Sequence, residues 1–222
     1  MNTAEHGVSI RYIGGPTVML SIDSVRFMTD PTFDAAGREH ASGTVRLHKT
    51  HGPAVDTERL GRIDVALISH DPHPDNLDSS GQALLEDNAL VLNTRAGAAR
   101  LGRWTMGLDP WQSWSVRTPR GTTLSVTATP ARLGPAGIEP ISGDVIGFVI
   151  GRAEDGVDLL YATGDTVGGR TPFSAKIRSI AKDGDAWVLT SAQRHGDECP
   201  SAPGRAPSGA RVQLPGQADL YR

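Results

Sequence analysis

Residues 63–78, IDVALISHDPHPDNLD, constrain this chain more than any other stretch. Val65, Ala66, Leu67 and Ile68 form a short apolar run with β-branched members, the pattern of a buried strand. After Ser69 come seven polar or proline residues: His70, Asp71, Pro72, His73, Pro74, Asp75 and Asn76. Pro72 and Pro74 lack an N–H and have a fixed φ, so the segment reads as a stiff loop rather than a helical turn. Two imidazoles and two carboxylates within six residues, at the end of a buried strand, are donors that zinc, iron and manganese accept. A stiff loop holds such donors in place at little ordering cost. The competing reading is a helix cap, because Asn76 and Asp78 also suit the position before a helix over SSGQALLED.

The segment resembles the metallo-β-lactamase superfamily, and within it the branch of metal-dependent hydrolases that includes the ascorbate-lactonase-like proteins. The superfamily signature is His-x-His-x-Asp-His after a strand ending in Ser or Thr. Here Ser69-His70 is in register, the second histidine comes one residue late at His73, and Asn76 stands at the place of the last one. A subgroup of the branch carries His-Asp-x-His-x-Asp-Asn-Leu-Asp, which residues 70–78 match throughout. TVMLSIDSVRFMTDPTFD (17–34) resembles the opening hairpin of the family, with Asp30-Pro31 at its usual place. KTHGPAV (49–55), TPARLGPAG (129–137) and LLYATGDTV (159–167) resemble further subgroup segments.

The resemblance implies an α+β fold, an αββα sandwich of two mixed sheets with helices outside. It implies His70, His73, Asp75 and Asp165 as metal ligands, with Asp75 also orienting the nucleophile. Asp30 is implied as support beside the metal, and Asp71 and Asn76 as substitutes or support. Leu133 stands where the family usually has a third histidine ligand, and no histidine follows a strand near the C-terminus. These departures strip ligands from both positions of a two-metal site. The expectation is therefore at most one divalent metal per chain, zinc first, with manganese or iron as alternatives.

The 222 residues suit one large domain with a substantial core. A net charge of −3 with scattered Lys and Arg argues against nucleic acid or an anionic membrane as the main partner. No run approaches the ~18 apolar residues of a spanning helix. The N-terminus shows no basic region followed by an apolar one, and Cys199 is the single cysteine, so the chain reads as cytoplasmic with a small-molecule substrate.

Periodicity predicts strands at 8–15, 17–22, 25–29, 89–93, 122–132, 145–150, 157–163 and 185–190, and helices at 81–88, 94–101 and 171–183. Residues 34–62 show no period, and His40, His48 and His51 within them read as surface histidines. Trp104, Trp111 and Trp114 read as edge packing of a sparse core rather than a substrate mouth. Residues 196–222 are rich in Pro, Gly, Ser and Arg, which cannot offset chain entropy by burial. The expected division is a metallo-hydrolase-like domain over 1–195 and a poorly ordered tail over 196–222, leaving the sandwich incomplete at its C-terminal edge. The expected function is hydrolysis of a small ester, lactone or phosphodiester by a metal-activated water at a depleted site. The alternative is a catalytically inert relative that keeps the fold to bind a ligand or a protein.

Overall fold

A computed structural model of the chain describes residues 2–5, 7–42, 45–85, 89–102, 104–133, 143–164, 179–183, 186–190 and 211–212. The first half builds strands β1 (Asn2–Glu5), β2 (Val8–Gly14), β3 (Thr17–Ile22), β4 (Val25–Thr29), β5 (Glu39–Ser42), β6 (Val45–His48), β7 (Val65–Leu67), β8 (Leu90–Thr94) and β9 (Thr105–Leu108). All but β5 and β6 form one sheet in the order β1-β2-β3-β4-β7-β8-β9. The β3–β4 hairpin turns at Asp23 and Ser24, whose φ values of +46° and +70° give the left-handed turn that matches strand twist. From β4 onward the pairing is parallel, which requires crossovers. Helices α1 (Ser79–Leu85) and α2 (Arg95–Leu101) supply two of them. Thr94 caps α2, its side chain accepting from the Gly97 N–H.

The second half builds β10 (Ser113–Arg117), β11 (Thr123–Pro130), β12 (Ile146–Arg152), β13 (Asp158–Ala162), β14 (Ser179–Asp183), β15 (Ala186–Thr190) and β16 (Arg211–Val212). They form a second mixed sheet, ordered β10-β11-β12-β13-β15-β14-β16. The main core lies between the sheets: Leu20, Phe27 and Leu67 of the first meet Val126, Phe148 and Leu160 of the second. A second cluster on the outer face of the first sheet joins Met19, Met28, Ala66 and Val91 to Leu77 and Leu85 under α1. A strand such as β7 is thus buried on both sides, which explains its unbroken apolar run. This is the expected sandwich of two mixed sheets, with α1 and α2 outside the first.

The structure corrects several local expectations. Ser179–Asp183 is a strand, not the end of a helix; it runs antiparallel to β15 with Asp183 opposite Ala186. Pairing with β15 prevails there over the helical spacing that reaches Ile180. Residues 34–62 and 102–120 hold the unforeseen strands β5, β6, β9 and β10. Within the expected tail, Arg211–Val212 pairs with β14; edge pairing uses backbone groups and needs no apolar pattern. The rest of 196–222, like most of the expected helix, lies outside the described residues. Trp104 and Trp111 do not pack at an edge, being 70% and 69% exposed, while Trp114 packs against the main core. His40 is drawn inward beside Asp34, 3.1 Å from its carboxylate, and His48 and His51 are exposed.

One close approach fixes α1 against the loop after β4. A Cβ on Gly81 would fall inside the van der Waals radius of the Pro31 carbonyl oxygen. Gly81→Ala is expected to destabilise the chain by about 1–3 kcal/mol through this overlap. Gly52→Ala, where a Cβ would meet the Ala36 nitrogen at an ordinary 3.7 Å, should be close to neutral. Urea denaturation of both variants checks this, and equal midpoints would refute it.

Candidate functional site

Parallel strands β4, β7 and β8 end on the same side of the first sheet, where ligands of open α/β sheets collect. Asp30 follows β4, Ser69 and His70 follow β7, and Asn93 and Thr94 close β8. Chemistry-bearing residues far apart in sequence are thereby brought to one rim.

Asp30 anchors the start of the histidine loop. Its carboxylate accepts from the Ser69 N–H at 2.6 Å and from the Ser69 hydroxyl at 2.8 Å, and the Asn76 amide donates to the same hydroxyl at 3.4 Å. The Asp30 backbone sits at φ +31°, an uncommon value for a non-glycine residue. Burial pushes its carboxyl up to about 7; the Ser69 and Asn76 bonds oppose this, and the charge of Asp75 adds to it. Ser69, the end of a strand in the sequence, links Asp30 to Asn76 through its N–H and hydroxyl.

His70 is fully buried. Its Nδ1 lies 3.1 Å from the Asp144 carbonyl oxygen, which can only accept, so Nδ1 carries the proton and Nε2 the lone pair. That Nε2 is buried with no hydrogen-bond partner among the described residues, and the same holds for Oδ1 of Asn76. Burial, and then the neighbouring His73, push the His70 pKa down to about 4, which keeps the ring neutral. The His70 and His73 rings meet edge to face, with centroids 4.3 Å apart. Burial also lowers the His73 pKa, against the opposing charge of Asp75. Two neutral imidazoles side by side, one with its tautomer fixed by a carbonyl, is the arrangement that metal-ligating histidines show.

The Asp71 carboxylate is held by two side chains. Arg100 grips it with Nε and Nη2 at 2.7 and 2.8 Å, and the Asn93 amide adds a bond at 3.1 Å. Burial pushes the Asp71 carboxyl up, but these bonds outweigh it and hold the group below the usual range. Both oxygens of Asp71 are engaged by Arg100 and Asn93. A Cβ on Gly97 would collide with Asn93 and Asp71, so α2 can approach this closely only with glycine there.

Asp75 is 2% exposed. Asp165 lies outside the described residues, and among those described no group of three or more His, Cys, Asp or Glu is arranged to hold a metal ion. Leu133 is buried and lines a cavity of about 280 Å³, together with Gly143 and Asp144 beside His70. Sequence reasoning also passed over Asp78 except as a helix cap. It does cap α1, accepting from the Gly81 N–H, and it accepts as well from the N–H groups of Phe33 and Asp34 and from the Lys49 ammonium, each at 2.7–2.8 Å. The Asn-Leu-Asp end of the 70–78 pattern was its only sequence signal.

No family model matches the chain. A possible metal-dependent hydrolase from Veillonella parvula superposes with a TM-score of 0.56 at 15% identity, covering 72% of this chain and 63% of that one. The isothiocyanate hydrolase from Delia radicum gut bacteria gives a TM-score of 0.56 at 21% identity, covering 72% and 64%. The chain has the metallo-β-lactamase fold. Within the metallo-β-lactamase fold, a curated sequence relative is N-acyl-phosphatidylethanolamine-hydrolyzing phospholipase D 1 of Caenorhabditis elegans, 34% identical over 77 residues, or 34% of this chain and 20% of that protein. The matches span about a fifth of the length of the curated relatives, and under two thirds of the two solved chains above. No helix among the described residues is long and apolar enough to cross a membrane.

Proposed function

We propose that this chain is a metal-dependent hydrolase of small esters, lactones or phosphodiesters, with a depleted site that holds at most one divalent ion, zinc first. The observation that carries this is His70: a fully buried neutral imidazole, its Nδ1 proton fixed on the Asp144 carbonyl and its Nε2 without a hydrogen-bond partner among the described residues. Leaving such an atom buried and unsatisfied costs roughly 1–3 kcal/mol, a penalty that ligation removes. His70 and His73 would hold the ion, with Asp75 and Asp165 supplying the anionic donors. A divalent ion bound there would supply a water of pKa near ~7 and a Lewis acid for a carbonyl or phosphoryl oxygen. Asp75 would orient the attacking water and take its proton. Asp30, through Ser69, fixes the loop that carries these groups, and Arg100 pairs with Asp71 beside them.

A second reading is an inert relative that binds a ligand or protein through the same fold. The buried, apolar Leu133 at the place of a third histidine favours it. Elemental analysis of chain purified without chelator separates the two. Wild type should carry a substoichiometric to single equivalent of metal, and His70→Ala should lose most of it. Equal metal in both samples, or none in either, would remove the hydrolase reading.

A further inference from the structure

Among the described residues, the cavity beside the histidine loop takes its walls from four segments, at 94–95, 108–110, 130–133 and 143–146. Asp144 is both a wall and the carbonyl that fixes His70. Gly143, a second wall residue, lies so close that a Cβ on it would sit 3.1 Å from Cε1 of His70. Gly143 and Asp144 thus stand between the cavity and the imidazole, and the cavity adjoins the backbone that holds the ring. Leu108, Pro130, Leu133, Val145 and Ile146 give it an apolar surface, and the four aliphatic side chains among them are buried in the protein. Among the described residues the charged walls are two of each sign, Arg95, Arg132, Asp109 and Asp144, and Arg95 bonds Asp109 at 2.7 Å. Such a lining selects neither an anion nor a cation; apolar contact remains as the source of affinity.

We propose that this cavity binds the apolar acyl or alkyl portion of a neutral ester or lactone, and that Leu133 sets the length it accepts. The proposal rests on the hydrolase reading above and narrows it from three substrate classes to two. At roughly 30 Å³ per water-sized group, the volume holds about nine non-hydrogen atoms. The residue standing in place of a metal ligand is then a wall of the substrate pocket.

The test is a calorimetric titration of the full chain with γ-butyrolactone, γ-hexalactone, γ-octalactone and γ-dodecalactone. Affinity should rise about fourfold per added methylene and level off near γ-octalactone. Leu133→Trp, which fills the cavity, should weaken γ-octalactone by about tenfold or more, the loss of two to three methylene contacts. Leu133→Ala should move the plateau towards γ-dodecalactone, and it serves if the tryptophan variant does not fold. Dibutyl phosphate, of similar size but anionic, should bind at least about tenfold more weakly than γ-octalactone, because its charge is left uncompensated in the cavity. Affinity independent of chain length, indifference to both Leu133 variants, or equal binding of dibutyl phosphate would each overturn the proposal. Metal content measured on the same samples keeps the two readings apart. A flat lactone series in metal-bearing protein sinks the pocket alone, and a stepped series in metal-free protein sinks the hydrolase reading alone.

Discussion

Leu133→His is expected to raise the affinity of the chain for zinc by about tenfold or more, through a donor added to an incomplete ligand set. The reason lies in the walls of the cavity, where Leu133 and the Asp144 that fixes His70 face the same space. The metal-free variant should be less stable than wild type by roughly 1–3 kcal/mol, because an imidazole replaces a buried isobutyl group without a partner. Zinc at about a hundred times its dissociation constant would return about 2.7 kcal/mol, so the melting temperature of the variant should respond to zinc more strongly than that of wild type. Competition against a chromogenic chelator, with thermal melts with and without zinc, measures both effects. Two ions held tightly by wild type would show that other residues complete the site, and the depleted-site reading would fall. Unchanged zinc affinity in the variant would show that position 133 does not face the ligands.

Asp78→Ala should have the largest effect on the fold itself. Its carboxylate is fully buried and accepts from three backbone N–H groups and from Lys49, whose side chain is 1% exposed. Removing it leaves those donors without this acceptor and takes a counter-charge from an ammonium held in the interior. Loss of one partner of a buried pair costs about 3–5 kcal/mol, and each stranded N–H adds roughly 1–3 kcal/mol more. Asp34, whose carboxyl also feels Lys49, offsets part of the charge term. Against a total stability of about 5–15 kcal/mol, the variant should be largely unfolded or should melt far below wild type. Asp78→Asn should fall between them, since it keeps an acceptor and loses the charge. The Lys49→Met/Asp78→Ala double variant should recover stability relative to Asp78→Ala alone. Urea unfolding of the set measures this, and a loss below ~1 kcal/mol in Asp78→Ala would refute the role assigned to the carboxylate. Because Asp78 closes the 70–78 loop, the same variant should also lose metal.

What the sequence determined by itself is local. Alternation and apolar runs located β2, β3, β4, β8, β11, β12, β13 and β15, because a side chain's face along a strand follows from its own position. Asp23-Ser24 marked a hairpin, Thr94 a helix start, and residues 70–78 a donor-rich loop at a strand end. Short strands without a clean period, such as β9 and β10, stayed hidden because their pairing partners define them. The tertiary structure decided what each polar side chain of the loop does. His70 gained its fixed tautomer from Asp144, 74 residues on; Asp71 was paired with Arg100, 29 residues on; Asp78 was bound to residues 33 and 34, more than forty residues back. It also turned Leu133 into a cavity wall and left Trp104 and Trp111 in solvent. A side chain carries its donors and acceptors in its own formula, but which partner desolvates or satisfies them depends on which strand ends the two sheets bring to one rim.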